Sequence, residues 1–166
     1  MLEVSIGGAA QLRKVAQGIR ATGDRGLGQQ MSRALARSTK PVQRSIGVEA
    51  NEVMPRAGGY QGVFSKSLRH KTSQRTSARN SSLTLITYAD GTGERRDVQS
   101  LETGALRHPV FGRSRTVRGR GRVPNPWTVT RIRSGFHKRG TDKAADEAVR
   151  ELATVLDDFA SRLAKG

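Results

Sequence analysis

The spacing of apolar residues predicts helices in the first third of the chain. Apolar side chains recur at helical intervals in residues 9–22 and again in residues 28–53. Pro41 interrupts the second stretch, and an internal proline removes one hydrogen bond and clashes with the preceding turn. Residues 28–53 are therefore expected to form one long kinked helix or two abutting helices, ended by Met54-Pro55.

The C-terminal segment has the clearest helical pattern. Thr141 is expected to cap a helix that runs to about Lys165. Its apolar residues recur every three or four positions: Ala145, Ala148, Val149, Leu152, Val155, Leu156, Phe159 and Leu163. Asp142 and Asp146 would lie near the positive end of the helix dipole, which favours negative charge.

The middle of the chain alternates polar and apolar residues as strands do. Strands are predicted at Leu2–Ile6, Ser67–Ser77, Ser81–Ala89, Val98–Leu101, Leu106–Phe111 and Trp127–Ile132. Because helices and strands occur in separate runs, the expected class is α+β. The predicted domain has N-terminal helices, one of them long and kinked, a small antiparallel sheet with a long arginine-rich loop, and a C-terminal amphipathic helix packed on the sheet.

Composition limits the size and chemistry of this domain. The chain has 166 residues, of which 34% are hydrophobic, so a single domain spanning 1–166 with a modest core is expected. The absence of cysteine excludes disulfide scaffolds, thiolate zinc sites and a cysteine nucleophile. No apolar run approaches a membrane span, and residues 1–8 lack the pattern of a signal peptide.

The net charge of +16 is concentrated in one part of the chain. Residues 56–140 hold 18 basic and four acidic residues, whereas 1–55 and 141–166 are closer to neutral. Five arginines occupy one ten-residue stretch: Arg113, Arg115, Arg118, Arg120 and Arg122. Mutual repulsion favours an extended loop over 112–124 that is mobile or ordered by a partner. By hypothesis, these arginines contact a partner protein or DNA. Without interleaved aromatic residues, a loop that reads nucleic-acid sequence is the weaker interpretation.

The residues that could support catalysis are few. None of the three histidines stands in a metal-binding pattern, so no metal or cofactor site is expected. His70 reads as a solvated strand position, and His108, before a proline, could orient a turn or donate to a partner. Asp97 and Glu102 could approach each other, but surrounding arginines would keep them ionised, which favours structural ion pairs. The chain is therefore not expected to be an enzyme.

Two aromatic residues stand in proline-rich surroundings. Phe111 follows Pro109-Val110, and Trp127 follows Asn125-Pro126. Both are expected to fill the core between the sheet and the C-terminal helix. The alternative is that one of them packs into a neighbouring subunit, since buried aromatic residues dominate many interfaces.

A series of motifs resembles a known protein family. Met54–Tyr60 reads MPRAGGY, Leu101–Gly112 reads LETGALRHPVFG, and Asn125-Pro126-Trp127 and Gly135-Phe136 follow. That order resembles the neck or tail-completion proteins of long-tailed bacteriophages, particularly those that infect actinobacteria. The motif positions that the resemblance implies as structural or interface residues are Gly58, Gly59, Leu106, Arg107, His108, Pro109, Phe111, Trp127 and Phe136.

The resemblance implies a structural protein of the virion without enzymatic activity or cofactor. Such a protein forms a homo-oligomeric ring, a hexamer or dodecamer, at the junction of head and tail. Its partners would be portal, adaptor or stopper proteins and tail proteins, with non-specific contact to packaged DNA and no membrane. It would be assembled in the host cytoplasm. The neck, tail-completion and tail-terminator roles all remain open.

Two other classes remain open on the residues alone. A basic nucleic-acid-binding protein with non-specific phosphate contacts would also explain the charge, because lysine and arginine attract polyanions regardless of sequence. A small basic toxin or nuclease would need a catalytic cluster, and the sequence offers no clear candidate.

Overall fold

A computed structural model describes residues 2–6, 9–56, 61, 64, 67–76, 81–89, 98–109, 114–124 and 126–165. The helices with both ends in the described residues are α1 Ala9–Thr22, α2 Arg25–Ser38, α3 Lys40–Val53, α4 Val98–Glu102 and α5 Phe136–Lys165. The strands are β1 Leu2–Ile6, β2 Leu68–Thr76, β3 Ser81–Ala89, β4 Ala105–Pro109, β5 Ser114–Val117, β6 Gly121–Pro124 and β7 Trp127–Arg131. The predicted α+β class is confirmed.

The strands form three small antiparallel sheets among the described residues, where one sheet was expected. β1, β3 and β2 pair in that order, β4 pairs with β7, and β5 pairs with β6. In the three-stranded sheet, the inward row of β3 contains Leu83 and Leu85, which are buried in the core. Helix α1 packs against β3, and α5 contacts β1.

The expected kink is a break between two helices at Thr39. The side chain of Asp24 caps α2 by accepting from the backbone N–H of Leu27 at 3.0 Å. Pro41 lies in the first turn of α3, where an N–H group has no intrahelical partner to lose. The proline therefore starts the second helix, and the prediction of abutting helices is confirmed.

The core is built along α5. One buried cluster joins α3 and the start of α5, and its largest members include Ile46, Phe64 and Phe136. A second cluster joins α1, α2 and the end of α5 through residues such as Leu35 and Leu156. The long C-terminal helix thus contributes to both halves of the core, although Val149, one of its predicted apolar residues, is exposed.

Gly140 allows α3 and α5 to approach closely. A Cβ atom at this position would lie 2.6 Å from the Ile46 Cα and 2.7 Å from its backbone nitrogen. Those distances are far below van der Waals contact. Only a residue without a side chain permits this packing.

One predicted boundary and one predicted element type were wrong. Helix α5 begins at Phe136, not at Thr141, whose hydroxyl instead donates to the carbonyl of His137 at 2.9 Å within the helix. Asp142 and Asp146 consequently lie in the second and third turns, beyond the strongest part of the dipole. The segment Val98–Leu101 is helical, in α4, where a strand was predicted.

Candidate interaction surface

Strands β4 to β7 pair as two separate antiparallel ladders, one nested within the other along the chain, and the segment Ala105–Arg131 is here called the arm. At its base Ala105 pairs with Arg131 and Pro109 with Trp127. Between those strands in sequence, Ser114 pairs with Pro124 and Val117 with Gly121. The expected loop over 112–124 is therefore a β-hairpin from Ser114 to Pro124.

The arm turns at its arginine–glycine repeat. The N–H of Arg120 donates to the carbonyl of Val117 at 3.0 Å, and Gly119 and Gly121 have positive φ values of 79° and 66°. Glycine adopts these angles without steric cost. Thr116-Val117 and Arg122-Val123 on either side suit paired strands, so a turn signal flanked by β-branched residues was present in the sequence.

The arm carries seven arginines and no acidic residue. Four of the five predicted contact residues lie on the described hairpin and are exposed: Arg115, Arg118, Arg120 and Arg122. Arg122 donates through Nε to Ser114 Oγ across the strands. None of the four has an ion-pair partner within the described part of the chain. Arg113 lies outside the described residues.

The outer face of the arm's base exposes apolar surface. Trp127 is 44% exposed and Val129 is 59% exposed on β7. The guanidinium of Arg107, on β4, lies 5.5 Å from the centroid of the Trp127 ring, a cation–π distance. The prediction that Trp127 fills the core was therefore wrong, and Phe111 lies outside the described residues.

On the opposite face of the same two strands, one residue reaches the core. Leu106 is buried in the core, and His108 Nε2 lies 2.8 Å from Thr130 Oγ1 in a cross-strand hydrogen bond. His108 and Pro109 belong to β4, so His108 does not orient a turn. Alternation along the strand places one face on the core and the other in solvent.

Glu102 anchors the base of the arm to α5. Its carboxylate accepts from the backbone N–H groups of His137 at 2.8 Å and Lys138 at 3.3 Å, which caps the helix. Its backbone carbonyl accepts from Gly135 at 2.7 Å. Glu102 forms no ion pair within the described residues, so the predicted structural ion pair was wrong for this residue. Asp97 lies outside the described residues.

Phe136 completes the anchor. It is fully buried and meets the ring of Phe64 edge-to-face, with centroids 6.1 Å apart. Of the motif positions, Leu106 and Phe136 therefore pack inside, whereas Arg107 and Trp127 face solvent. Gly58 and Gly59 lie outside the described residues.

Two histidines are partly or fully buried beneath the sheet. His70 Nδ1 lies 3.1 Å from the Oγ1 of Thr87, so the prediction of a solvated position was wrong. Burial lowers the pKa of His70, helped by the charge of His137. Burial also lowers the pKa of His137, against the opposing effect of Glu102. Both side chains are thus favoured as neutral imidazoles.

A buried carboxylate joins α3 to α5 and was not found from the sequence. Glu49 is 1% exposed, and it accepts from Arg139 Nε at 2.8 Å and from the Lys143 ammonium. These hydrogen bonds, from Lys143 first and then Arg139, lower the pKa of Glu49 against the effect of burial. Arg139 and Lys143 occur four positions apart, but nothing in the sequence indicates which carboxylate they meet.

Within the described ranges, no group of three or more histidine, aspartate or glutamate side chains is arranged to hold a metal ion. None of the helices in that part of the chain is both long enough and apolar enough to cross a membrane. The chain matches no protein-family model, no curated protein and no solved structure.

Proposed function

We propose that this protein is a structural subunit of the head–tail junction of a long-tailed bacteriophage. It assembles with copies of itself into a ring, and its arm docks on an acidic surface of the next component of the junction. The observation that carries the proposal is the arm, with seven arginines, no acidic residue and an exposed Trp127 at its base. The motif resemblance at Leu101–Gly112 supplies the biological setting.

The arm presents surface that the subunit's own core does not use. Its hairpin arginines have no ion pair within the described residues, and Trp127 and Val129 leave a large apolar area in water. Aromatic residues and arginines are enriched where proteins associate. A repeated head-to-tail contact closes into a ring when the rotation between neighbours divides the circle.

The test replaces residues 113–122 with a Gly-Ser segment of equal length in phage carrying the altered gene. Joined particles, counted by electron microscopy, and infectious yield are both expected to fall, while the purified variant unfolds at nearly the same temperature as the parent protein. A matched control, Lys14→Gln with Arg33→Gln, removes exposed charge from α1 and α2 and should leave joining normal. Normal infectious yield from the arm variant would refute the proposal.

A second candidate function is that of a non-specific nucleic-acid-binding protein, which the positive charge of the arm also favours. Mass measurement of the purified chain separates the two. A defined ring, alone or on mixing with junction proteins, supports the structural subunit. A monomer with tight, salt-sensitive affinity for duplex DNA supports the second candidate.

A further inference from the structure

The outer face of the three-stranded sheet is a second basic surface, separate from the arm. Residues of β2 and β3 that pair directly point to the same side, and Leu83, Leu85 and Thr87 mark the buried side. The opposite side therefore carries the other row of each strand. Its members on β2 and β3 are Arg69, Lys71, Ser73, Arg75, Ser82, Thr84, Ile86 and Tyr88.

Three cations lie in one row along β2. Arg69, Lys71 and Arg75 are all exposed, and their spacing along an extended strand gives a row about 20 Å long. Residues 53–89 contain six lysines and arginines and no acidic residue. Across the sheet, the register places one carboxylate residue, Glu3 of β1, opposite Ile86. Within the described residues, Lys71 and Arg75 form no ion pair.

We infer that this sheet face, the β2 cation row with its polar neighbours, binds the phosphate backbone of duplex DNA. A row of about 20 Å follows a little more than half of one duplex turn, and its hydroxyl neighbours Ser73 and Thr84 can donate to phosphate oxygens. Contacts of this type fix position without reading bases. The inference deepens the proposed function by naming the surface that meets the genome, and it is tested on the isolated protein.

Duplex DNA fits this face better than a single strand. Single-strand binding requires several aromatic platforms on which successive bases stack. The described residues of the face include one aromatic side chain, Tyr88, which is 39% exposed and pairs across the strands with Arg69. Backbone contact alone needs cations and hydroxyls, which this face supplies.

The experiment measures the salt dependence of DNA binding. The purified full chain binds a fluorescent duplex of about 30 base pairs, and anisotropy gives the affinity at salt concentrations from about 0.05 to 0.5 M. Lys71→Gln with Arg75→Gln removes two cations of the row. Arg69 is left in place because it also hydrogen-bonds the carbonyl of Leu68.

Each lost phosphate contact should make the slope of log affinity against log salt less negative by about 0.9. The slope of the double variant should therefore be less negative by about 1.8, which lowers its affinity at 0.1 M salt by about 60-fold. The control Lys14→Gln with Arg33→Gln removes the same charge from the helices and should leave the slope within 0.3 or so of the parent value. Thermal unfolding of both variants checks that the fold is intact.

Three results would overturn the inference. One is an unchanged slope of log affinity against log salt in the double variant. That result would mean that the arm contacts the DNA, or that the protein does not bind DNA. Another is equal loss in the helix control, which would mean that only total charge matters. The third is a loss of single-strand affinity on Tyr88→Ala larger than any effect on the duplex. Ring assembly is measured separately by mass, so its failure leaves the DNA result standing.

Discussion

The close approach at Gly140 makes a sharp prediction about the α3–α5 interface. In Gly140→Ala the new methyl group would lie 2.6 Å from the Ile46 Cα, so the two helices must separate by about 1 Å to reach normal contact. The obstacle is backbone, which cannot rotate away. Overpacking of this kind costs about 3 kcal/mol, and the better helix propensity of alanine returns about 1 kcal/mol.

The expected net loss for Gly140→Ala is therefore about 2 kcal/mol, which lowers the unfolding midpoint of a chain of this size by about 4–8 °C. Gly47→Ala is the matched control, because Gly47 lies in α3 and, apart from its chain neighbours and the nearby backbone of its own helix, no atom lies within 4 Å of the added Cβ. It should raise the midpoint by about 1–4 °C through helix propensity alone.

Both variants are measured by thermal unfolding followed with far-ultraviolet circular dichroism, and by urea titration for the free energy of unfolding. The reasoning is refuted if Gly140→Ala unfolds at or above the parent temperature. It is also refuted if Gly47→Ala is destabilised as much, since alanine would then be harmful in either helix for an unrelated reason.

Four further predictions concern buried and capping groups. Glu49→Gln should cost about 1–3 kcal/mol in the free energy of unfolding, because it leaves the mostly buried guanidinium of Arg139 without its anion, whereas the exposed Lys143 is solvated by water; a loss below 0.5 kcal/mol or so in urea titration would contradict this. Glu102→Ala should lower the free energy of unfolding by about 1 kcal/mol, because it removes the cap of α5. An unchanged midpoint of thermal unfolding would show that the cap does not stabilise the protein. Stability should fall as pH drops below 6.5, where the unfolded chain protonates His70 and His137 more readily than the folded one does. A second loss should begin as pH falls below 4.5 through the lowered pKa of Glu49 and be missing in Glu49→Gln; a flat midpoint across both windows would contradict these assignments.

Local patterns predicted most elements but missed features that depend on contacts between distant residues. The helices from α1 to α3 and the pairing of β2 with β3 followed from periodicity and turn residues. The start of α5 at Phe136 did not, because the cap is the carboxylate of Glu102, which is distant in sequence. Helix α4 was predicted as a strand because a segment of five residues is too short for its periodicity to distinguish a helix from a strand.

For the candidate surfaces, the sequence alone determined the amount and location of charge. The seven arginines of the arm, the acid-free stretch 53–89 and the absence of cysteine are facts of composition. They were enough to predict a polyanion or an acidic partner as the target. They were not enough to predict shape, since repulsion among arginines suggested a loop where a hairpin forms.

Only the tertiary structure decided which side chains face solvent and which face the core. Trp127 was expected in the core, yet it is exposed. Leu106, on the paired strand, packs in the core, and the strand register places Trp127 on the opposite face. Glu49 shows the opposite, because this charged residue is buried. Its carboxylate forms ion pairs with two cations of α5, Arg139 and Lys143. Periodicity is a property of neighbouring residues, whereas burial depends on which surfaces meet, and that is settled only when the elements pack.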